Sequence, residues 1–375
     1  MTTAAPTDRY DLAVVGAGIV GLAHAWHAAR GGLRVVVLER DEFAAGASIR
    51  NFGHICTTAQ NGTALDYALR ARSEWLTLGA AAGFPVAEAG TVVVARTSAE
   101  LAVLEEFAPQ RDGHVALLTA AEVAERAGFD APDAVGGAHF ALDLRLNSPS
   151  AVPALTAHLE TLGVEFRFGV NVQRVEPGIV LTSSGEIVAE RTVVCVGHDV
   201  DRFFPELASA VGIRRCRLRM MEIDAPGGIQ VAPGILTGTS LLRYDGPAST
   251  GAAEALRAEV AETAPELVEN AVNLMFTQRP HGSLVIGDTH HYGITESPFE
   301  DEAVDELLLR EFSRLLGADS LRVRRRWRGI YASSAAQDFL VEQPVPGVSV
   351  VSVTTGIGMT CALGLAATTL ALAAA

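Results

Sequence analysis

The sequence predicts an α/β fold, with a Rossmann-like, doubly wound and mostly parallel sheet at its heart. Three stretches predict it. Residues 12–38 read as an apolar strand, a glycine-rich turn, a helix and a second strand. Residues 191–199, RTVVCVGHD, read as a buried strand running into Gly197. Residues 348–366 read as a strand that enters Gly356-Ile-Gly358-Met359-Thr360 and then a helix. Continuous Val/Ile/Leu runs of this kind suit strands buried on both faces, as in parallel sheets.

The first unit carries a GxGxxG motif at Gly16, Gly18 and Gly21. Gly16 permits a tight turn, Gly18 lets backbone approach a pyrophosphate, and Gly21 lets the helix pack closely on the strand. The helix N-terminus then offers free N–H groups and a positive dipole end to phosphates. Glu39, followed by Arg40, ends the second strand. A carboxylate there accepts hydrogen bonds from ribose hydroxyls and repels a 2′-phosphate, which disfavours NADP. This unit alone does not separate FAD from NAD.

The chain has 375 residues, so two domains or one large α/β body is expected. Its 49% hydrophobic and 19% charged residues suit a packed globular protein. A net charge of −15 argues against nucleic acid as the main partner, while local arginines still allow a small anionic substrate. All 29 basic residues are arginine, which excludes lysine Schiff-base chemistry. Cys56, Cys195, Cys216 and Cys361 form no CxxC pair and read as free thiols of a reducing cytoplasm. Residues 1–9 lack the apolar run of a signal peptide. The apolar residues 361–375 are short for a membrane span and read as a buried helix. The expectation is a cytoplasmic protein with no membrane partner, its oligomeric state open.

Features far from the first motif point to a flavin. Gly46, Ala47, Ser48, Arg50 and Asn51 follow Glu39 in a loop suited to run beneath a flavin and contact its phosphates. Gly197 lets a backbone pass close to a cofactor, and the segment Gly356, Gly358, Met359, Thr360 sets a second helix N-terminus against the ligand. In this order, these pieces resemble the amine-oxidising FAD family that includes D-amino-acid oxidase, glycine oxidase and monomeric sarcosine oxidase. GASIRNFGHI and RLNSPSAVPAL look closer still to a branch associated with aminophosphonate breakdown. The resemblance implies an FAD-binding domain made of residues 1–80, 145–215 and 330–375, with an α+β substrate domain, 81–144 and 216–329, interleaved. It implies oxidation of the C–N bond of a small anionic amine to an imine that water hydrolyses. Molecular oxygen would reoxidise the flavin and give hydrogen peroxide. Within the inserted parts, GTVVVAR reads as a strand, SLVIGDTHHYG as another strand running into a polar loop, and EDEAVDELLLREFSRLLG as an amphipathic helix. Pro149 precedes a helix read over 150–162.

The candidates for chemistry are His54, His290, His291, Arg328 and Tyr331. His54 follows the flavin loop; it faces the active site or is a hydrogen-bonded packing residue. Arg50 reads as a cofactor contact or a surface ion pair. His290 and His291 are placed on the substrate sheet near the flavin. Nearby, Val285 stands where the resemblance to sarcosine oxidases implies an oxygen-activating lysine, which puts fast oxygen use in doubt. In RRRWRGIY, Arg324, Arg325 and Arg326 read partly as a solvated face, and Tyr331 aligns with the carboxylate-clamping arginine of the family, with Arg328 just upstream. A guanidinium suits carboxylate or phosphonate through its paired donors. Gly329 stands near the cysteine that carries covalent flavin in sarcosine oxidases, so noncovalent FAD is expected. Arg145, Asn147 and the Arg243-Tyr244 pair are further anion-site candidates or structural residues. No metal site is expected, since the histidines are scattered. Two other readings stay open: a dehydrogenase that passes electrons to a quinone or carrier, and a flavin-binding scaffold without activity.

Overall fold

A computed structural model describes residues 9–373. Strands Arg9–Val15 and Val35–Leu38 are almost wholly buried, which is why they carry Val, Ala and Leu on both faces. They pair in parallel, and Gly185–Val194 continues the sheet on the other side of Arg9–Val15. Val348–Val353 follows in parallel, and Glu165–Arg167 closes the far edge beside Val35–Leu38. Phe339–Val345 runs antiparallel at one side, and the hairpin Val172–Glu176/Ile179–Thr182 pairs with the first half of Gly185–Val194. These make an eight-stranded sheet. Helices Ile19–Arg30, Gly62–Ala82, Ser148–Thr161 and Gly358–Ala373 share one apolar core with it, including Leu12, Leu22, Trp75, Leu155 and Leu363. The expected C-terminal helix is therefore built into the core, pinned where Trp75 Nε1 donates to Met359 O at 2.8 Å.

A second, nine-stranded sheet takes strands from residues 91–140 and 214–333. Its spine is Arg214–Ile223, flanked along its length by antiparallel Val323–Ser333. Both strands belong wholly to this sheet. Helix Glu302–Leu315 is amphipathic as read, and Leu308 and Phe312 pack with Phe276 and Ile286. A three-stranded sheet, His54–Ile55, Leu144–Leu146 and Val86–Ala87, completes the strands.

Two local readings differ from the structure. SLVIGDTHHYG, read as a strand running into a polar loop, is strand Leu284–Gly287 followed, after a short loop, by a second strand, His291–Gly293. Between them Asp288 N donates to Asn273 O at 2.7 Å and His290 N to Asn270 O at 3.2 Å, so this stretch is bonded to the 270–273 segment. The helix read over 150–162 is Ser148–Thr161, and Pro149 sits inside its first turn, where no intrahelical N–H is needed. Among the described residues, no helix is long and apolar enough to cross a membrane.

Candidate active site

The two large sheets meet at one cavity of about 510 Å³. Its first half is built from the glycine turn. Gly16 stands at φ +103°, and a Cβ there would lie 2.6 Å from Cys195 O. A Cβ on Gly21 would lie 2.0 Å from Gly16 O; this residue does not line the cavity but allows the helix to close on the turn, as its motif position requires. Glu39 Oε2 accepts from Ala17 N at 2.8 Å and Oε1 from Asp41 N at 3.1 Å. Ser48 Oγ accepts from Ile19 N at 2.8 Å, which caps the helix and leaves the hydroxyl hydrogen for a ligand. Asn51 braces the same loop: Nδ2 donates to Ala47 O and Ser48 O, and Oδ1 accepts from Gly53 N at 2.8 Å. Arg40 lines the cavity and pairs with Asp199 at 2.8 Å.

Gly18, Arg50, Gly197, Gly356, Gly358, Met359 and Thr360 line the same space, so Ser48 and Met359 share one crevice. Gly46 and Gly197 face open space where a Cβ would stand. Bare backbone at two walls, a helix N-terminus at Gly18–Ile19 and a second at Gly358 together fit an extended diphosphate ligand with a planar head.

The rest of the cavity holds three of the candidates for chemistry. His54, His290 and Tyr331 line it. His291 and Arg328 do not, and the reason is the two-residue period of extended chain. His291 neighbours His290 and points to the other side, where Arg217, Glu296 and Glu300 act on it. Arg328 is three residues from Tyr331, hence on the opposite face; it donates to Ser297 O at 3.1 Å and pairs with Glu300 at 3.4 Å. Arg324, Arg325 and Arg326 form the solvated face, paired with Asp224, Glu222 and Asp305. Arg145 and Asn147 are structural: Arg145 donates to Ala232 O at 2.9 Å and to Gln278 O, and Asn147 Oδ1 accepts from Arg279.

The cation that does reach the cavity is Arg243, at the end of helix Gly238–Arg243. Its Nη2 donates to Thr355 O at 2.6 Å and to Tyr331 Oη at 3.2 Å, and its Nε to His290 Nε2 at 3.4 Å. Among the described residues Nη1 has no partner, and no carboxylate pairs with this guanidinium. His290 Nδ1 lies 2.9 Å from Ala271 O, which fixes the proton on Nδ1 and leaves Nε2 as the acceptor for Arg243. Burial, then the charge of Arg243, pushes the His290 pKa down to about 3, so the ring is neutral. Burial likewise keeps the Tyr331 phenol protonated by pushing its pKa well up. A Cβ on Gly356 would stand 2.8 Å from the Tyr331 ring, so glycine is what lets the ring sit there.

Behind these groups lie two acids that sequence reading did not single out. Asp143 is fully buried and lies 3.2 Å from His54 Nε2, which also contacts Thr91 Oγ1 at 2.6 Å. Burial raises the Asp143 carboxyl, but the His54 hydrogen bond and charge outweigh it and hold it below the usual range. His54 Nδ1 is buried without a partner. His54, Cys56 and Asp143 bring three possible ligand atoms within 4.8 Å of one another. The second acid, Asp288, lines the cavity together with Asn273. Asp288 falls where the sequence reading let the SLVIG strand pass into a polar loop, and a loop reading does not say where a side chain points.

Residues 11–372 match the family described as FAD dependent oxidoreductase (DAO). The chain is 29% identical over 215 residues to one subunit of the opine oxidase of Rhizobium meliloti, covering 52% of this chain and 58% of that protein. It thus spans less than two thirds of that relative's length. Its fold resembles glycine oxidase from Geobacillus kaustophilus, with a TM-score of 0.77 at 19% identity over 97% of this chain and 94% of the other. A dithionite-reduced L-alpha-glycerophosphate oxidase from Mycoplasma pneumoniae with FAD bound gives a TM-score of 0.77 at 16% identity, over 98% and 95% of the two chains. The match runs through the glycine turn, Glu39 and the two convergent helix ends. The chain belongs to the DAO family of FAD-dependent oxidoreductases.

Proposed function

We propose that this chain oxidises the C–N bond of a small amine that also carries an acid group, an amino acid or an aminophosphonate. The product is an imine, which water hydrolyses to a carbonyl compound and an amine or ammonia. FAD is held noncovalently, its adenosine on Gly16–Gly21 and Glu39 and its ring end by Gly356–Thr360. When bound, the flavin supplies the hydride acceptor. Everything else falls to side chains of this chain. Arg243 takes the acid group on its open Nη1, Tyr331 donates a further hydrogen bond, and neutral His290 holds the guanidinium in place. Leu218, Met220 and Met275 wall the cavity with apolar surface that strengthens these contacts.

The observation that carries the reading is Arg243 itself: a partly buried guanidinium, braced on three sides and lacking a carboxylate partner among the described residues. A cation so placed asks for an anion from outside. The test is anaerobic mixing of the holoenzyme with glycine, sarcosine, D-alanine, 2-aminoethylphosphonate and its N-methyl form. Bleaching of the flavin absorbance by at least one supports the reading, and no bleaching by any of these or by other acid-bearing amines would end it. Bleaching by the phosphonates alone assigns the aminophosphonate branch. A second reading, electron transfer to a quinone or carrier instead of oxygen, is favoured by Val285 and by the absence of any lysine. Peroxide formation compared with dye reduction during turnover separates the two.

A further inference from the structure

We propose that Asp288 is the residue that binds the substrate nitrogen and takes its proton, so that Arg243 and Asp288 together select a molecule with an acid group and an amine a short distance apart. This rests on the substrate class proposed above and goes further, by assigning the group that reads the nitrogen.

Four observations carry it. Asp288 is 4% exposed, and the surface it retains lines the cavity. Its Oδ1 accepts from Asn273 Nδ2 at 3.0 Å, and Asn273 is itself fixed by Ser240 Oγ at 2.6 Å, so the carboxyl is aimed by a side chain that cannot swing. Its Oδ2 lies 3.9 Å from His290 Nε2. That nitrogen holds no proton to give, because Nδ1 carries it towards Ala271 O and Nε2 accepts from Arg243. Oδ2 therefore takes no hydrogen bond from a side chain among the described residues. Finally, Arg243 and Asp288 flank the same imidazole nitrogen, one at 3.4 Å and the other at 3.9 Å, so the two opposite charges are neighbours without being an ion pair. A small zwitterion bridges such a pair.

The proton step balances without a co-reactant. An N–H bond of the substrate ammonium breaks, an O–H bond forms on Asp288, and the electron pair stays on nitrogen, which leaves the amine neutral. Burial raises the Asp288 carboxyl to about 7, against the lowering effect of Arg243 and of the Asn273 hydrogen bond, which places it in range for this transfer. The other titratable groups facing it are His290, Tyr244, Tyr292 and Cys216. His290 stays neutral, and burial pushes the tyrosines and the thiol up and away from this range.

The test uses FAD-loaded wild type, Asp288→Asn and Asn273→Ala, each checked for FAD content. The first arm measures the anaerobic reduction rate constant divided by Kd against pH, with an amine that bleaches the wild type. Wild type is expected to lose activity as pH falls through about 7. In Asp288→Asn the inflection disappears and the value at pH 8 drops about a hundredfold. In Asn273→Ala the inflection moves to higher pH, because a group that lowered it has gone; loss of packing alone would not move it. The second arm titrates propionate, an acid without nitrogen, into the oxidised holoenzyme and follows the flavin spectrum. Its Kd is expected to weaken above pH 7 in wild type and to stay flat in Asp288→Asn. Coincident propionate curves overturn the assignment, as does an amine inflection that survives in Asp288→Asn. If no amine bleaches the wild type, the proposed reaction fails, and the propionate arm still decides whether Asp288 faces the nitrogen side of a bound acid.

Discussion

Replacing Arg243 with Gln tests the substrate reading where it is most exposed. In the structure Nη2 and Nε are spent on Thr355 O, Tyr331 Oη and His290 Nε2, while the two N–H groups of Nη1 have no partner among the described residues. Two charge-assisted hydrogen bonds to an incoming acid contribute about 1.5–3 kcal/mol each. Their loss is about 3–6 kcal/mol, or roughly a 10²–10⁴-fold fall in the bimolecular rate of flavin reduction. Arg243→Lys keeps a charge without the fork and is expected to recover part of this, since an ammonium is a point donor. The assay is anaerobic stopped-flow reduction across substrate concentrations. FAD content must be measured alongside, because the bond to Thr355 O touches the cofactor loop. If Arg243→Gln binds FAD normally and its reduction rate per substrate stays within about fivefold of wild type, the acid group lies elsewhere and the reading is wrong.

Three further outcomes follow from the same geometry. Gly21→Ala sets a Cβ 2.0 Å from Gly16 O, rigid backbone that cannot move aside; a loss of at least about 3 kcal/mol of stability and of FAD retention is expected, and a variant with wild-type Tm and full FAD would contradict the packing described. Arg328→Met is expected to leave reduction kinetics within about threefold because the side chain faces away from the cavity, whereas Tyr331→Phe removes a hydroxyl bonded to Arg243 and is expected to cost about tenfold; equal effects in steady-state kinetics would place Arg328 back in the site. Burial holds His24 down to about pKa 4, against 6.5 for the free side chain. The native state therefore binds fewer protons than the unfolded chain between these values, and stability falls as pH drops from 6.5 to 4, by about 3 kcal/mol in all. Denaturant unfolding of wild type and His24→Gln at pH 7.5 and 4.5 measures this: the variant is expected to lose less on acidification, and parallel losses would refute it.

The cofactor half of the molecule was largely legible in the sequence because its determinants are local. A glycine needing φ +103°, a carboxylate at a strand end and an apolar run before a turn each act within a few residues, and each was found where spacing placed it. The substrate half was legible only in fragments. Arg328 and His291 were chosen as polar residues near the right segment, but the direction of a side chain depends on strand register, and one residue of register reverses it. Arg243 was noticed only as one candidate among several, since its burial and its bonds to Thr355, Tyr331 and His290 join segments far apart in the chain. Asp288 was passed over because it falls where the strand was read to give way to a polar loop, and nothing local announces that this loop bonds back to Asn273.

That asymmetry has a physical origin in how the cavity is assembled. The cofactor side is one supersecondary unit with later strands laid beside it, so its geometry is written into contiguous sequence. The substrate side exists only where the second sheet touches the first. Arg243 Nη2 bonds Thr355 O, which lies between the last strand of the first sheet and helix Gly358–Ala373, and the Tyr331 ring rests against Gly356. The group proposed to bind the acid is thus fastened to the loop proposed to hold the ring end of the cofactor. An amine bound through Arg243 as proposed would be located relative to that loop by the Arg243–Thr355 hydrogen bond, and not by the relative packing of whole sheets. Positioning of this kind is what brings a reacting C–H into line, and it needs a short, stiff path between the two ligands. On the proposed reading the contact between Arg243 and Thr355 supplies that path, which accounts for a cation without a carboxylate partner among the described residues standing at the seam rather than deeper in either sheet.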